Sequence, residues 1–138
     1  MANVLYPLAR QSFLSQNPAL DWDTDDIRVA LVRTPADAGY TYSAANQYLS
    51  SVAAYIVARS SALATKTVAL GVAGAANITF TAPAAGRSCN LVIYKYNAAD
   101  ASAQLIAFID TGTGLPVTTN GGDVTVAWDT GANLIFAL

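Results

Sequence analysis

From Asn90 to the C-terminus, apolar and polar positions alternate in short runs separated by glycine-rich turns. Asn90-Leu-Val-Ile-Tyr-Lys-Tyr, Gln104-Leu-Ile-Ala-Phe-Ile-Asp, Asp123-Val-Thr-Val-Ala-Trp-Asp and Asn133-Leu-Ile-Phe-Ala-Leu each predict one strand. The breakers between them are Asn97-Ala-Ala-Asp-Ala-Ser, Thr111-Gly-Thr-Gly-Leu-Pro, Thr119-Asn-Gly-Gly and Thr130-Gly-Ala. Short strands with turn signals at nearly even spacing mark an antiparallel sandwich or barrel.

Upstream, Ile27-Arg-Val-Ala-Leu-Val-Arg puts Ile27, Val29 and Leu31 on one strand face. Further strands are predicted at Ala54–Arg59, Thr65–Leu70 and Asn77–Thr81, with Gly71-Val-Ala-Gly-Ala-Ala as a link. Leu5, Leu8, Phe13 and Leu14 fall at loosely helical spacing, and Pro18 ends any helix there. Ser43 and Gln47 are spaced to cap a short helix over 44–51. The prediction is therefore a single domain over 1–138, an all-β antiparallel sandwich of about eight strands, jelly-roll-like, with a short N-terminal helical arm over 1–18.

Composition adds a constraint on the surface. Apolar residues make up 54% of the 138 positions and charged residues 12%, about half the usual charged share. Mixed charge normally keeps proteins apart in solution. So few charges imply that part of the surface is covered by a partner or by other copies of the chain, plain low solubility being the alternative. The net charge is −2 and the seven cations are scattered, which argues against nucleic acid and against a basic membrane patch. No apolar run approaches the roughly 20 residues of a membrane helix, and no secretion signal is visible at the start, so a chain kept in a cytoplasm is expected.

Candidate chemistry is thin. Histidine is absent and all nine acidic residues are aspartate, which removes Ser-His-Asp and Cys-His mechanisms and leaves little for a transition metal. Cys89 stands alone and reads as a space-filling residue. The turns Asp110-Thr-Gly and Asp129-Thr-Gly invite comparison with aspartic proteases, whose two carboxylates share a proton. Aspartate and glycine are also common strand-end residues, and so close a spacing suits successive turns of one sheet better. Asp21-Trp-Asp-Thr-Asp-Asp begins like a calcium loop, but Asp26 stands where the glycine belongs and Val32 where the glutamate belongs. The reading is a non-enzyme without cofactor or metal. Tyr40, Tyr42 and Tyr48 cluster in and after one loop, where they could form a contact patch or pack over the end of the sandwich.

The long block Ile109-Asp-Thr-Gly-Thr-Gly-Leu-Pro-Val-Thr-Thr-Asn-Gly-Gly-Asp-Val-Thr-Val-Ala-Trp-Asp-Thr-Gly-Ala-Asn-Leu-Ile-Phe-Ala-Leu resembles a family of small virion structural proteins of tailed bacteriophages. The front is similar too, in the Leu8-to-Leu14 segment, Asp21-Trp-Asp-Thr-Asp-Asp-Ile-Arg-Val-Ala-Leu-Val and Tyr40-Thr-Tyr-Ser. The resemblance covers nearly the whole chain. It implies a capsid decoration (cement) protein, assembled in the host cytoplasm onto the capsid surface, with the major capsid protein as partner and a dimer or trimer as its own state. Such a protein would need extended segments to lie on a neighbour. The candidates are Leu5, Tyr6, Leu8 and Phe13 in the arm, with Tyr40, Tyr42 and Tyr48 in the loop. Two alternatives stand beside it. One is a tail, neck or baseplate component, structural or binding a receptor or sugar through Tyr40, Tyr42, Tyr48 and Trp22. The other is a dimeric protease using Asp110.

Overall fold

Two long strands, β2 (Ile27–Arg33) and β7 (Ser88–Lys95), pair antiparallel along their whole length and form the spine of the molecule. The computed structural model describes residues 3–132 and 134–138. Nine shorter strands surround the spine among these residues: β1 (Val4–Leu5), β3 (Ile56–Arg59), β4 (Thr67–Ala69), β5 (Val72–Gly74), β6 (Ile78–Phe80), β8 (Leu105–Ile109), β9 (Val117–Thr118), β10 (Val124–Val126) and β11 (Phe136–Ala137). The main sheet runs β1-β8-β7-β2-β3, with β9 pairing the start of β7; β10-β6 and β11-β5-β4 form two smaller sheets. Every pairing is antiparallel. The fold is all-β and sandwich-like, with eleven strands where about eight were expected.

The spine is buried on both faces, which is why its residues form a nearly unbroken apolar run and not a clean alternation. Residues paired across antiparallel strands share a face. Val29, Ile93 and Ala107 therefore point one way, and Ala30, Val92 and Phe108 the other. Tyr40 and Tyr42 cover the Phe108 face, their rings 5.8 and 5.7 Å from that of Phe108. Leu91 and Ile109, on the opposite face, look toward Val124 and Val126 of β10. One apolar cluster links these layers.

The N-terminal segment does not behave as a free arm. Val4 and Leu5 pair with Phe108 and Ala107, and the Tyr6 N–H donates to the Ile106 carbonyl at 2.9 Å. Helix α1 (Pro7–Ser15) follows, begun by a proline whose missing N–H costs nothing at a helix start and ended by Gln16 at φ 55°. Buried Ser12 accepts a hydrogen bond from Gln104 at 2.6 Å, so α1 is tied to the chain entering β8. The segment holds because Leu5, Tyr6 and Ala9 are buried in the core. Met1 and Ala2, at the outer end of the expected arm, and Asn133, at the start of the last expected strand, lie outside the described residues.

The helix expected over 44–51 is absent and is corrected here. The Ser43 hydroxyl accepts the Ala45 N–H in a local turn, and Tyr48 bridges to Gln104. The Leu105 N–H donates to the Gln47 carbonyl and the Leu49 N–H to that of Ala103. Backbone pairing with the chain entering β8 has overridden a weak capping signal, leaving only 3-10 turns at Leu49–Ser51 and Ala53–Tyr55. Ahead of this, Gly39 lets the loop fold back on the end of β2: a Cβ there would lie 2.1 Å from the Arg33 carbonyl oxygen. No helix among the described residues is long and apolar enough to cross a membrane.

Candidate functional site

The tyrosines singled out from sequence form an internal network. The Tyr6 and Tyr40 hydroxyls lie 2.9 Å apart, and Tyr40 donates to Asn46 Oδ1 at 2.8 Å. The Tyr6 and Tyr42 rings stand 5.2 Å apart. Burial pushes the pKa values of Tyr6 and Tyr40 upward, because the phenolate would have to form away from water. Of the residues expected to contact a partner, Leu5, Tyr6 and Tyr40 are buried and spend their apolar surface inside the chain's own core. Leu8, Phe13, Tyr42 and Tyr48 are half-buried, and Phe13 packs on Phe136 with ring centres 6.0 Å apart. Trp22 is also buried, donating its ring N–H to the Gly74 carbonyl at 3.0 Å and meeting Phe136 edge-on at 5.1 Å.

The acidic turn is an internal clasp. The Asp25 carboxylate accepts from the Asp21 N–H at 2.8 Å and pairs with Lys95 at 3.0 Å, while Lys66 donates to the Asp25 carbonyl. Bidentate contact with Arg28 lowers the pKa of Asp26. A hydrogen bond between Asp21 and Asp23 lowers the pKa of Asp21 and raises that of Asp23. Among the described residues, no group of three or more acidic or cysteine side chains is arranged to hold a metal ion. Cys89 is buried, and its thiol is pushed up to about 11.

The two Asp-Thr-Gly turns are held by turn chemistry. Asn3 Oδ1 accepts from the backbone N–H groups of Asp110 and Thr111 and from the Thr111 hydroxyl, each at 3.0 Å. Asp129 accepts the Gly131 N–H at 3.1 Å, closing its own loop.

The surface feature that stands out is the β4–β5 hairpin. Ala69 pairs with Val72, leaving Leu70 and Gly71 as a two-residue turn at φ 51° and 78°. Two left-handed positions in succession make the turn type I′, which favours asparagine, aspartate or glycine at both places. A leucine at the first costs about 1–2 kcal/mol against a residue suited to φ above zero. Its side chain recovers nothing inside the monomer, being fully exposed at 104% relative accessibility. Val68 (54%), on β4, and Leu138 (59%), next to the end of β11, are exposed too, and β4 is an edge strand of this sheet among the described residues. Val68, Phe136, Leu138, Phe13 and Trp22 line a cavity of about 250 Å³, together with Asp21 and Asp23.

Sequence reasoning missed this surface, because Thr65–Leu70 was predicted as one strand with Leu70 inside it. The available signal was Leu70-Gly71 itself, a bulky apolar residue where a tight turn needs a small or polar one. No protein-family model matches the chain, and no curated protein sequence matches it.

Proposed function

We propose that this protein is a structural component of a phage particle that decorates the capsid by laying the β4–β5 hairpin on the major capsid protein. The observation that carries this reading is Leu70, a fully exposed leucine in a left-handed turn position. Neither the turn nor the core accounts for it, whereas an external apolar pocket does. Val68 and Leu138 widen the contact, and the unpaired edge of β4 offers backbone donors and acceptors to a neighbouring strand. A charge content of only 12% favours close packing against other subunits. The resemblance to small virion proteins supplies the context. Modest affinity at each hairpin becomes firm attachment when many copies, as dimers or trimers, sit on one lattice.

The test is re-attachment of purified protein to particles that lack it, read by co-sedimentation. Wild-type chain is expected to saturate the shell and Leu70→Asn to bind at least tenfold more weakly. Equal binding by the two would remove the hairpin from the contact. Binding to tails but not to shells would favour the tail or baseplate reading.

A further inference from the structure

A second concave feature lies on another part of the molecule. It is a groove of about 730 Å³ between the Thr111–Leu115 turn and the segment Val124–Asp129. Leu91, Ile109 and Val117 of the main sheet also line it. The volume suits a small ligand of one or two rings.

The lining selects for chemistry. Lysine and arginine are absent from it, and the chain has no histidine, so nothing in the groove would neutralise a phosphate, sulfate or carboxylate. Its one ionisable side chain is Asp129, which would repel an anion. A purely apolar ligand would strip water from that carboxylate and from the threonine hydroxyls without replacing it. A neutral polyhydroxylated ring meets both requirements: its hydroxyls donate to Asp129, and its C–H face lies on an aromatic wall.

That wall is Trp128, half-exposed in the groove. It is held by its ring N–H on the Ala76 carbonyl at 3.0 Å and by its backbone N–H on Asn77 Oδ1 at 3.2 Å. Asp129 Oδ1 is occupied by Gly131, while Oδ2 has no protein partner among the described residues. Thr111, also in the lining, donates its Oγ1–H to Asn3 and so keeps its acceptor lone pairs for a ligand hydroxyl. Aromatic ring, carboxylate and hydroxyl are thus held by the protein's own hydrogen bonds before any ligand arrives, which limits the ordering cost of binding.

We infer that this groove binds a neutral carbohydrate, with Trp128 as the stacking surface and Asp129 as the principal hydrogen-bond acceptor. The inference is independent of the hairpin and holds wherever the protein sits on a particle. The sequence pointed to Tyr40, Tyr42, Tyr48 and Trp22 for a sugar; the groove uses none of them.

The experiment is saturation-transfer NMR on the full-length protein with glucose, galactose, N-acetylglucosamine, maltose and cellobiose, and with glucuronic acid as the charged control. At least one neutral sugar is expected to receive saturation, and glucuronic acid none. Asp129→Asn keeps an oxygen for Gly131 but removes the charge, and is expected to weaken binding about tenfold, as loss of a charge-assisted hydrogen bond does. Trp128→Ala, checked for an unchanged melting profile, is expected to abolish the signal. Should Trp128→Ala melt early, Trp128→Phe replaces it, with reduced transfer expected. Silence across the neutral panel, equal transfer to glucuronic acid, or a signal indifferent to Asp129→Asn would overturn the assignment.

Discussion

The Tyr6 and Tyr40 hydroxyls meet at 2.9 Å beneath the loop that crosses the main sheet, joining the start of the chain to that loop. The contact makes the N-terminal segment and the tyrosine loop parts of one core. Both phenols are raised in pKa by burial. The stability they carry is therefore fully present below the unfolded tyrosine value of about 10, and is lost as pH rises above it, because the unfolded chain ionises first. Each such tyrosine contributes a slope of about 1.4 kcal/mol per pH unit in that range. Tyr6→Phe is expected to cost about 1 kcal/mol at neutral pH through the lost hydrogen bond and to flatten the alkaline slope. Chemical denaturation at pH 8 and pH 11 checks both.

Gly39→Ala is expected to be among the most damaging small substitutions, since its Cβ would sit 2.1 Å from the Arg33 carbonyl oxygen. Either the Tyr40 N–H gives up its hydrogen bond to that carbonyl, or the whole loop moves off the sheet. A loss of roughly 3 kcal/mol is expected on thermal melting, in the range of severe backbone and packing defects.

Asn3 clamps the Asp110-Thr111 turn through four hydrogen bonds, three accepted by its oxygen and one donated to the Thr111 carbonyl at 3.0 Å. Asn3→Ala is expected to cost about 1–2 kcal/mol and to release β1 from β8, seen as faster amide exchange at Val4 and Leu5.

Cys89 sits at a buried position of β7 with its thiol pushed up to about 11. At pH 8 a thiol reagent is expected to leave it unmodified in the folded protein and to react fully once the chain is unfolded.

Much of this fold was legible, and the failures have physical causes. Ile27–Arg33 was read to the residue because a seven-residue apolar strand flanked by an acidic turn and a proline leaves little choice. β5 was missed because Val72-Ala-Gly offers one branched side chain between glycines, and it is held by backbone pairing with two neighbours. The tyrosine loop was read both as packing over the sandwich and as a contact patch, because sequence does not show that Phe108, more than sixty residues later, stands beneath Tyr40 and Tyr42. Leu70 was misplaced for the opposite reason. The strand predicted over Thr65–Leu70 ran into a position that the backbone uses as a turn.

Leu70→Asn separates the two things this position does. Asparagine tolerates the left-handed conformation better, so the isolated protein is expected to gain about 1 kcal/mol in denaturant unfolding. A gain in stability together with a loss of attachment is the signature of a residue kept for its partner.

Cryo-electron microscopy of the intact particle at side-chain resolution tests the central claim most directly. The account predicts density for this chain on the capsid surface, with Leu70 and Val68 buried against major capsid protein subunits. Density in which the β4–β5 hairpin points to solvent, or in which the chain occupies the tail and leaves the shell bare, would contradict it.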